Sequence, residues 1–184
     1  MISFIVPTIG RPSLTQTLAS IEWRPGDEIL IVGERQYATN HQRIRWVPCL
    51  RGNDWGAKER NVAMPLARGR YLAFMDDDDM YAPGHRALMQ DAIETTPGKP
   101  VIFRQQYPDG RTLWKDPVVA FGNVGTPMVL VPNIPERLGI WGSFVGGDCA
   151  FIETLGWLRN EIVWRTDVVA LIGDNVPSHA KVSA

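Results

Sequence analysis

Four consecutive aspartates, at residues 76–79, directly follow an apolar run and precede Met80-Tyr81-Ala82-Pro83. Adjacent like charges repel one another, so the cluster costs stability unless positive charge offsets it. Carboxylates at the end of a buried strand suit a hard divalent cation, which one or two carboxylates usually hold together with water and substrate phosphate. The pattern therefore predicts Mn²⁺ or Mg²⁺ here, placed to bind a diphosphate. The alternative is an acidic turn or helix N-terminus, in which the carboxylates bind free backbone amides.

The elements that must position these acids alternate between strands and helices. Short apolar runs predict buried strands at residues 2–6, 28–32, 44–47 and 70–75. Helices are predicted from Ser13 to Ile21, over residues 55–68 and near residues 84–95. Pro65 lies inside the second of these and should kink it or cost about 3 kcal/mol.

Such alternation is typical of an α/β fold with a mainly parallel central sheet and helices on both faces. Ligands of these sheets bind outside the carboxyl ends of the strands. Residues 7–11 and the four acids both follow such ends, so we expect them to open onto one crevice. Lys58 and Arg60, on the helix before the acidic strand, are further candidates to contact a phosphate or a base edge.

The second half of the chain has more loops. Residues 101–106 and 111–115 flank a turn at 108–110 and predict a hairpin. Residues 116–147 are rich in Gly, Asn and Pro, with a short strand predicted at 128–131. A helical pattern then follows Asp148, with Phe151, Leu155 and Leu158 on one face. No repeat marks a boundary, and we expect a single domain over residues 1–184.

Composition excludes several classes of protein. The chain has 184 residues, 45% of them hydrophobic, and a net charge of −1, which argues against nucleic acid as a partner. No apolar run is long enough to predict a transmembrane helix. The opening MISFIVPTIGRP lacks the features of a signal peptide, so a cytoplasmic location is expected. Cys49 and Cys149 are predicted to be buried free thiols, with a disulfide as the alternative.

The segment WGAKERNVAMPLARGRYLAFMDDDDMYAPGHRAL resembles the centre of the family 2 nucleotide-sugar glycosyltransferases of the GT-A fold. The matching features are Arg60-Asn61, Ala67-x-Gly69, Tyr71 and Asp76-x-Asp78-Asp79. The opening ISFIVPTIGRPSL resembles the first strand and Pro-Thr turn of the family, and Gly146-Gly147-Asp148 resembles the acidic residue that opens a helix in its acceptor half. The resemblance runs in order over residues 2–160 and is strongest at 56–88.

The resemblance implies a metal-dependent transfer of sugar from a UDP- or GDP-linked donor to an acceptor hydroxyl, by inversion. Residues 1–100 would bind the nucleotide-sugar and metal, and residues 101–184 the acceptor. Asp76 and Asp78 would bind metal and donor, with Asp77 and Asp79 within reach of ribose or metal. Pro7, Thr8 and Arg11 would line the nucleoside pocket, and Arg60 would contact base or phosphate. Asp148 would be the general base; its alternative role is a helix N-cap.

Three further points stay open at this level. His179 would complete the metal shell, as a histidine near the chain end does in some GT-A enzymes, or is an exposed tail residue. The second strand ends at Gly33-Glu34 where the family usually carries acids that recognise the base, and Glu59 replaces the usual alanine before Arg60. The chain is short for an acceptor domain, so a small acceptor, a partner protein or oligomer, or a non-catalytic nucleotide- or sugar-binding module is an alternative. A nucleotidyltransferase would need a Gly-rich phosphate loop after the first strand.

Overall fold

A computed structural model describes residues 1–37 and 41–173, and in these ranges strands and helices alternate. The strands are β1 (Ile2–Thr8), β2 (Glu28–Gly33), β3 (Ile44–Pro48), β4 (Tyr71–Phe74), β5 (Met80–Tyr81), β6 (Val101–Gln106), β7 (Thr112–Leu113), β8 (Val129–Pro132) and β9 (Val163–Leu171). The helices are α1 (Leu14–Ser20), α2 (Ala57–Ala63), α3 (His85–Thr95) and α4 (Gly147–Glu153). Short 3₁₀ turns occur at Met64–Leu66, Thr126–Met128, Pro135–Arg137 and Arg159–Glu161.

All of these strands join one sheet in the order β3-β2-β1-β4-β8-β6-β9-β5, with β7 paired to β6. The first four strands along this order are parallel. The second half adds β8 antiparallel to both β4 and β6, while β9 runs parallel to β6. The predicted α/β architecture is therefore confirmed, with antiparallel strands confined to its second half.

The two faces of the sheet are covered by different helices. Ile5, Leu30 and Phe74 pack on one face with residues of α2 and α4. Phe4, Ile29 and Ala73 point to the other face, where they pack with residues of α1 and α3. Successive strand residues alternate between faces, which is why these strands read as continuous apolar runs in the sequence.

Three sequence predictions need correction. The helix predicted over residues 55–68 is only Ala57–Ala63, because Trp55 and Gly56 have positive φ and Pro65 diverts the chain into a 3₁₀ turn. The last helix ends at Glu153, so Leu158 does not lie on its apolar face and is 70% exposed. Strand β9 was not predicted. Cys49 and Cys149 are buried and free, as expected.

A buried ion pair lies at the start of β1. Asp27 accepts hydrogen bonds from Ile2 N (2.8 Å), Arg24 N (2.9 Å) and Arg86 Nε (2.6 Å). Both charged side chains are almost completely buried. Burial alone would raise the pKa of Asp27, but these hydrogen bonds outweigh it and lower that pKa. The pair joins β1 to α3.

None of the described helices is long and apolar enough to cross a bilayer.

Candidate active site

A cavity of about 700 Å³ lies at the carboxyl ends of β1 and β4. Its lining includes Pro7, Thr8 and Arg11 after β1, Asp76 to Asp79 after β4, and Asp148 on α4. The residues predicted at two strand ends thus meet in one crevice. A smaller cavity of about 140 Å³ adjoins it and shares Asp76 and Asp148. Arg60 lines only the smaller one.

Asp77 fastens the acidic segment to the end of β1. It accepts hydrogen bonds from Thr8 Oγ1 (2.7 Å) and Ile9 N (3.2 Å), and Arg11 Nη1 donates to its other oxygen. Asp77 is 2% exposed. Both of its oxygens are therefore engaged by the chain, so this carboxylate organises the walls of the crevice.

Asp76 pairs with Arg60. The Arg60 side chain is 3% exposed, whereas that of Asp76 is 35% exposed. Arg60 also donates to the Trp55 carbonyl at 2.8 Å, and its guanidinium carbon lies 4.7 Å from the centre of the Trp141 ring. A buried guanidinium held at three sides is fixed in direction, because a planar fork bonds and stacks at once.

The remaining two acids have weaker compensation. Asp78 lies 3.3 Å from Arg11 Nη1, and its side chain is 16% exposed. Asp79 accepts from Gly173 N at 2.9 Å and is 4% exposed. Burial, with the charges of Asp76 and Asp78, raises the pKa of Asp79 to about 8. Burial also raises the pKa of Asp78, and the nearby carboxylates add to it. Two arginines thus face four carboxylates.

These residues fit a divalent cation that is shared with a ligand. Among the described residues no three His, Cys, Asp or Glu side chains form a ready-made metal cage. Asp76 and Asp78 nevertheless keep accessible carboxylates on one cavity, which is the protein share that Mg²⁺ commonly has beside substrate phosphates. The four carboxylates at residues 76–79 also outnumber the two arginines paired with them, which favours binding of a cation. His179, the predicted third ligand, lies outside the described residues.

Asp148 lies in the first turn of α4, two residues after Gly146. Gly146 occupies the N-cap position with φ of 94°. The alternative role of Asp148 as the N-cap is therefore wrong. Its Oδ1 accepts from Cys149 N at 2.8 Å, and burial raises the pKa of Asp148. Gly147 must lack a side chain, since a Cβ there would lie 2.3 Å from the Gly142 carbonyl.

The turn before α4 is tied to α2. Asn61 Nδ2 donates to the Trp141 carbonyl, and Trp141 N donates to Asn61 Oδ1, each at 3.0 Å. The Trp141 ring also stacks on Phe151 of α4, with centres 4.4 Å apart. Arg60 on α2 and Asp148 on α4 therefore belong to two helices joined through one tryptophan.

Several cavity residues were missed by the sequence analysis. Asn53 and Trp55 both have positive φ, and Trp55 is 63% exposed at the cavity. Strained backbone of this kind collects at ligand sites. Phe121 contacts the Gly146 position and is 66% exposed. Trp55 could have been predicted as a ligand contact, because it is an aromatic residue directly before a glycine in the run WGAKERN. Phe121 lies in a loop whose sequence has no comparable pattern.

Comparison with known proteins gives one family match. The model of glycosyl transferase family 2 matches residues 3–153. S. aureus TarS, residues 1–349, shares 18% identity at a TM-score of 0.68, over 94% of this chain and 60% of that one. A structure of the same TarS fragment in complex with UDP-GlcNAc shares 16% identity at a TM-score of 0.68, over 100% of this chain and 61% of that one. No curated protein matches.

A third similar structure is mannosyltransferase PcManGT from Pyrobaculum calidifontis in complex with GDP-Man and Mn²⁺. It shares 17% identity at a TM-score of 0.63, over 97% of this chain and 57% of that one. The chain therefore spans about three fifths of the TarS fragment and of PcManGT, and 36% of the longer TarS chain. At these identities the likeness shows the fold alone, and it confirms the predicted GT-A fold.

Proposed function

This chain belongs to glycosyl transferase family 2, and on that premise we propose that it moves a sugar from a nucleoside-diphosphate sugar to an acceptor hydroxyl. The observation that carries the proposal is the presence of Asp76, Asp78 and Asp148 on one cavity. Asp76 and Asp78 would bind the metal and the donor, and Asp148 would accept the proton. Donor and acceptor would then meet within this one cavity.

The donor would bind at the carboxyl ends of β1 and β4. Asp76 and Asp78 would hold Mn²⁺ or Mg²⁺, which stabilises the charge that develops on the departing diphosphate. Pro7, Thr8 and Arg11 would line the nucleoside pocket. Arg11 is 44% exposed at its side chain and can turn a guanidinium toward phosphate. Arg60 would contact a base or phosphate from the smaller cavity.

Asp148 would be the general base. The acceptor oxygen forms a bond to the anomeric carbon, the bond from that carbon to the diphosphate breaks, and the hydroxyl proton passes to Asp148. The electron pair of the broken bond leaves with the diphosphate, and the configuration inverts. Burial raises the pKa of Asp148 above its usual value, which suits a group that must accept a proton.

Product analysis and calorimetry test the proposal. UDP, GDP and their hexose conjugates should bind with Mn²⁺ present and lose affinity after chelation. Turnover should release a nucleoside diphosphate, whereas a nucleotidyltransferase would release pyrophosphate. Metal-dependent donor binding without any release would favour the alternative, a non-catalytic nucleotide- or sugar-binding module. Affinity that ignores the metal would contradict the proposed site. The acceptor, His179 as a ligand and the cytoplasmic location stay predictions.

A further inference from the structure

Glu59 is a buried carboxylate that the proposed mechanism does not use. It lies on α2 and is 4% exposed. Its Oε1 accepts a hydrogen bond from Gly52 N at 3.2 Å, while its Oε2 has no partner among the described residues. A buried charged oxygen without a donor costs free energy. Because Glu59 also lines the large cavity, a ligand bound there can supply the missing donor.

The surroundings place Glu59 at the far end of the crevice from the acids. Gly52, its hydrogen-bond partner, follows shortly after β3, and Cys49 N there donates to Gly33 O at the end of β2. In the sheet order β3-β2-β1-β4, the end of β3, which Gly52 follows, lies three strand spacings, or about 14 Å, from the end of β4. A nucleotide whose diphosphate lies at the acids extends about that far toward its base.

Strand β2 ends at Gly33, so the last position of this strand contributes no acid to the cavity. A Cβ at Gly33 would lie 2.3 Å from the Thr8 carbonyl, so no larger residue fits there. Two buried carboxylates near Gly52 line the cavity instead, Glu59 on α2 and Asp54 just before that helix. Asp54 Oδ2 accepts from Lys58 N at 3.0 Å and from Ser143 Oγ at 3.3 Å, so Asp54 is held against the backbone of α2 and the turn before α4. Helix α2 lies close to β1, since a Cβ at Gly56 would contact the Pro7 ring at 3.0 Å.

We propose that Glu59 recognises the base of the donor nucleotide by accepting a hydrogen bond from a ring N–H on the Watson–Crick edge of that base. The inference rests on the proposed function. Uracil N3 and guanine N1 carry such a hydrogen, whereas cytosine N3 and adenine N1 are acceptors that a carboxylate repels. With its free oxygen opposite the ring nitrogen, Glu59 therefore selects uracil and guanine over cytosine and adenine, whose hydrogens on that edge belong only to the exocyclic amino group. A site built to bond one polar group rejects an analogue that leaves the group unpaired.

Substitution of Glu59 by glutamine tests this role, because the amide keeps the size and one acceptor oxygen. Gly52 N can bond that oxygen, which leaves the NH₂ group facing the cavity. Calorimetric titrations with UDP, GDP, CDP and ADP, each with saturating Mn²⁺, should show that the wild type prefers UDP, GDP or both. In Glu59→Gln this preference should fall by about 10- to 100-fold, the value of a hydrogen bond to a charged group.

The matched control is Glu136→Gln, an exposed glutamate on the Pro135–Arg137 turn outside the cavity lining. It should leave all four affinities unchanged. A merely structural Glu59 would weaken the four nucleotides by the same factor or lower the melting temperature without changing their ratios, and either result would overturn the inference. If no nucleoside diphosphate binds the wild type, the proposed function itself fails. If nucleotides bind and the ratios do not respond, only the role of Glu59 fails.

Discussion

Asn61 and Trp141, eighty positions apart, are joined by two reciprocal hydrogen bonds of 3.0 Å. The side-chain amide takes the place of a neighbouring strand and satisfies both backbone groups of one residue. Trp141 is 2% exposed, so neither group has water as a substitute. This pairing fixes the distance between the helix that carries Arg60 and the helix that carries Asp148.

Substitution Asn61→Asp should therefore reduce the free energy of unfolding by about 1–3 kcal/mol, because the carboxylate faces the Trp141 carbonyl with no hydrogen to donate. Urea unfolding measures the change. Asn160→Asp, at an exposed position, is the control and should have little effect. Equal stability of the two variants would show that the Asn61–Trp141 contact contributes nothing.

Substitution Asp148→Asn should abolish proton acceptance while keeping the hydrogen bond from Cys149 N. We expect the transfer rate to fall by about 10²- to 10⁴-fold, the usual contribution of a general base. Binding of donor and Mn²⁺, measured by calorimetry, should not change. Normal turnover in this variant would contradict the assignment of the base even though the fold is established.

Acid should destabilise the protein through Asp27. Its pKa is lowered in the folded state, so its contribution is complete above the unfolded value of about 3.9 and is lost as the pH falls through the folded value. Substitution Asp27→Asn leaves Arg86 buried without a counterion and should cost about 3–5 kcal/mol at neutral pH. Thermal unfolding from pH 2 to 7 measures both effects, with exposed Asp116→Asn as control.

Asp79 should act in the opposite direction. Because its pKa is raised to about 8, the folded state holds a proton that the unfolded state releases near pH 4. Its contribution to stability is therefore greatest at low pH and declines between about pH 4 and 8. Asp79→Asn keeps an acceptor for Gly173 N and should remove this decline from metal-free unfolding curves. Saturating Mn²⁺ should reduce the decline in the wild type, since a cation favours the charged carboxylate. Parallel curves for variant and wild type would contradict this assignment.

The first half of the fold was predictable because β1, β2 and β4 are buried on both faces and therefore form short continuous apolar runs in the sequence. Strand β9 was not, since Arg165 and Asp167 interrupt its apolar pattern. These charges pair with each other, and Arg165 also bonds Asp91 of α3, which no local pattern reveals. The two-residue strand β5 exists only because β9 pairs with it.

The candidate site was predictable in its residue types more than in its contacts. The strand-end rule placed residues 7–11 and the four acids together, and the structure does bring them into one cavity. The sequence did not predict that Arg60 and Arg11 would pair with Asp76 and Asp77, because those pairs span 16 and 66 positions. Positive φ at Asn53 and Trp55 was equally invisible, since neither residue is glycine.

The pairing of Arg60 with Asp76 makes occupancy of the two proposed ligands interdependent. A divalent ion that approaches Asp76 must compete with an intramolecular counterion, and the guanidinium it displaces gains a new anion only when a diphosphate is present. Each ligand thus raises the affinity for the other by the same factor, as reciprocity requires. The protein should therefore bind a divalent ion weakly when the ion is alone, and bind it more tightly when a diphosphate is also present.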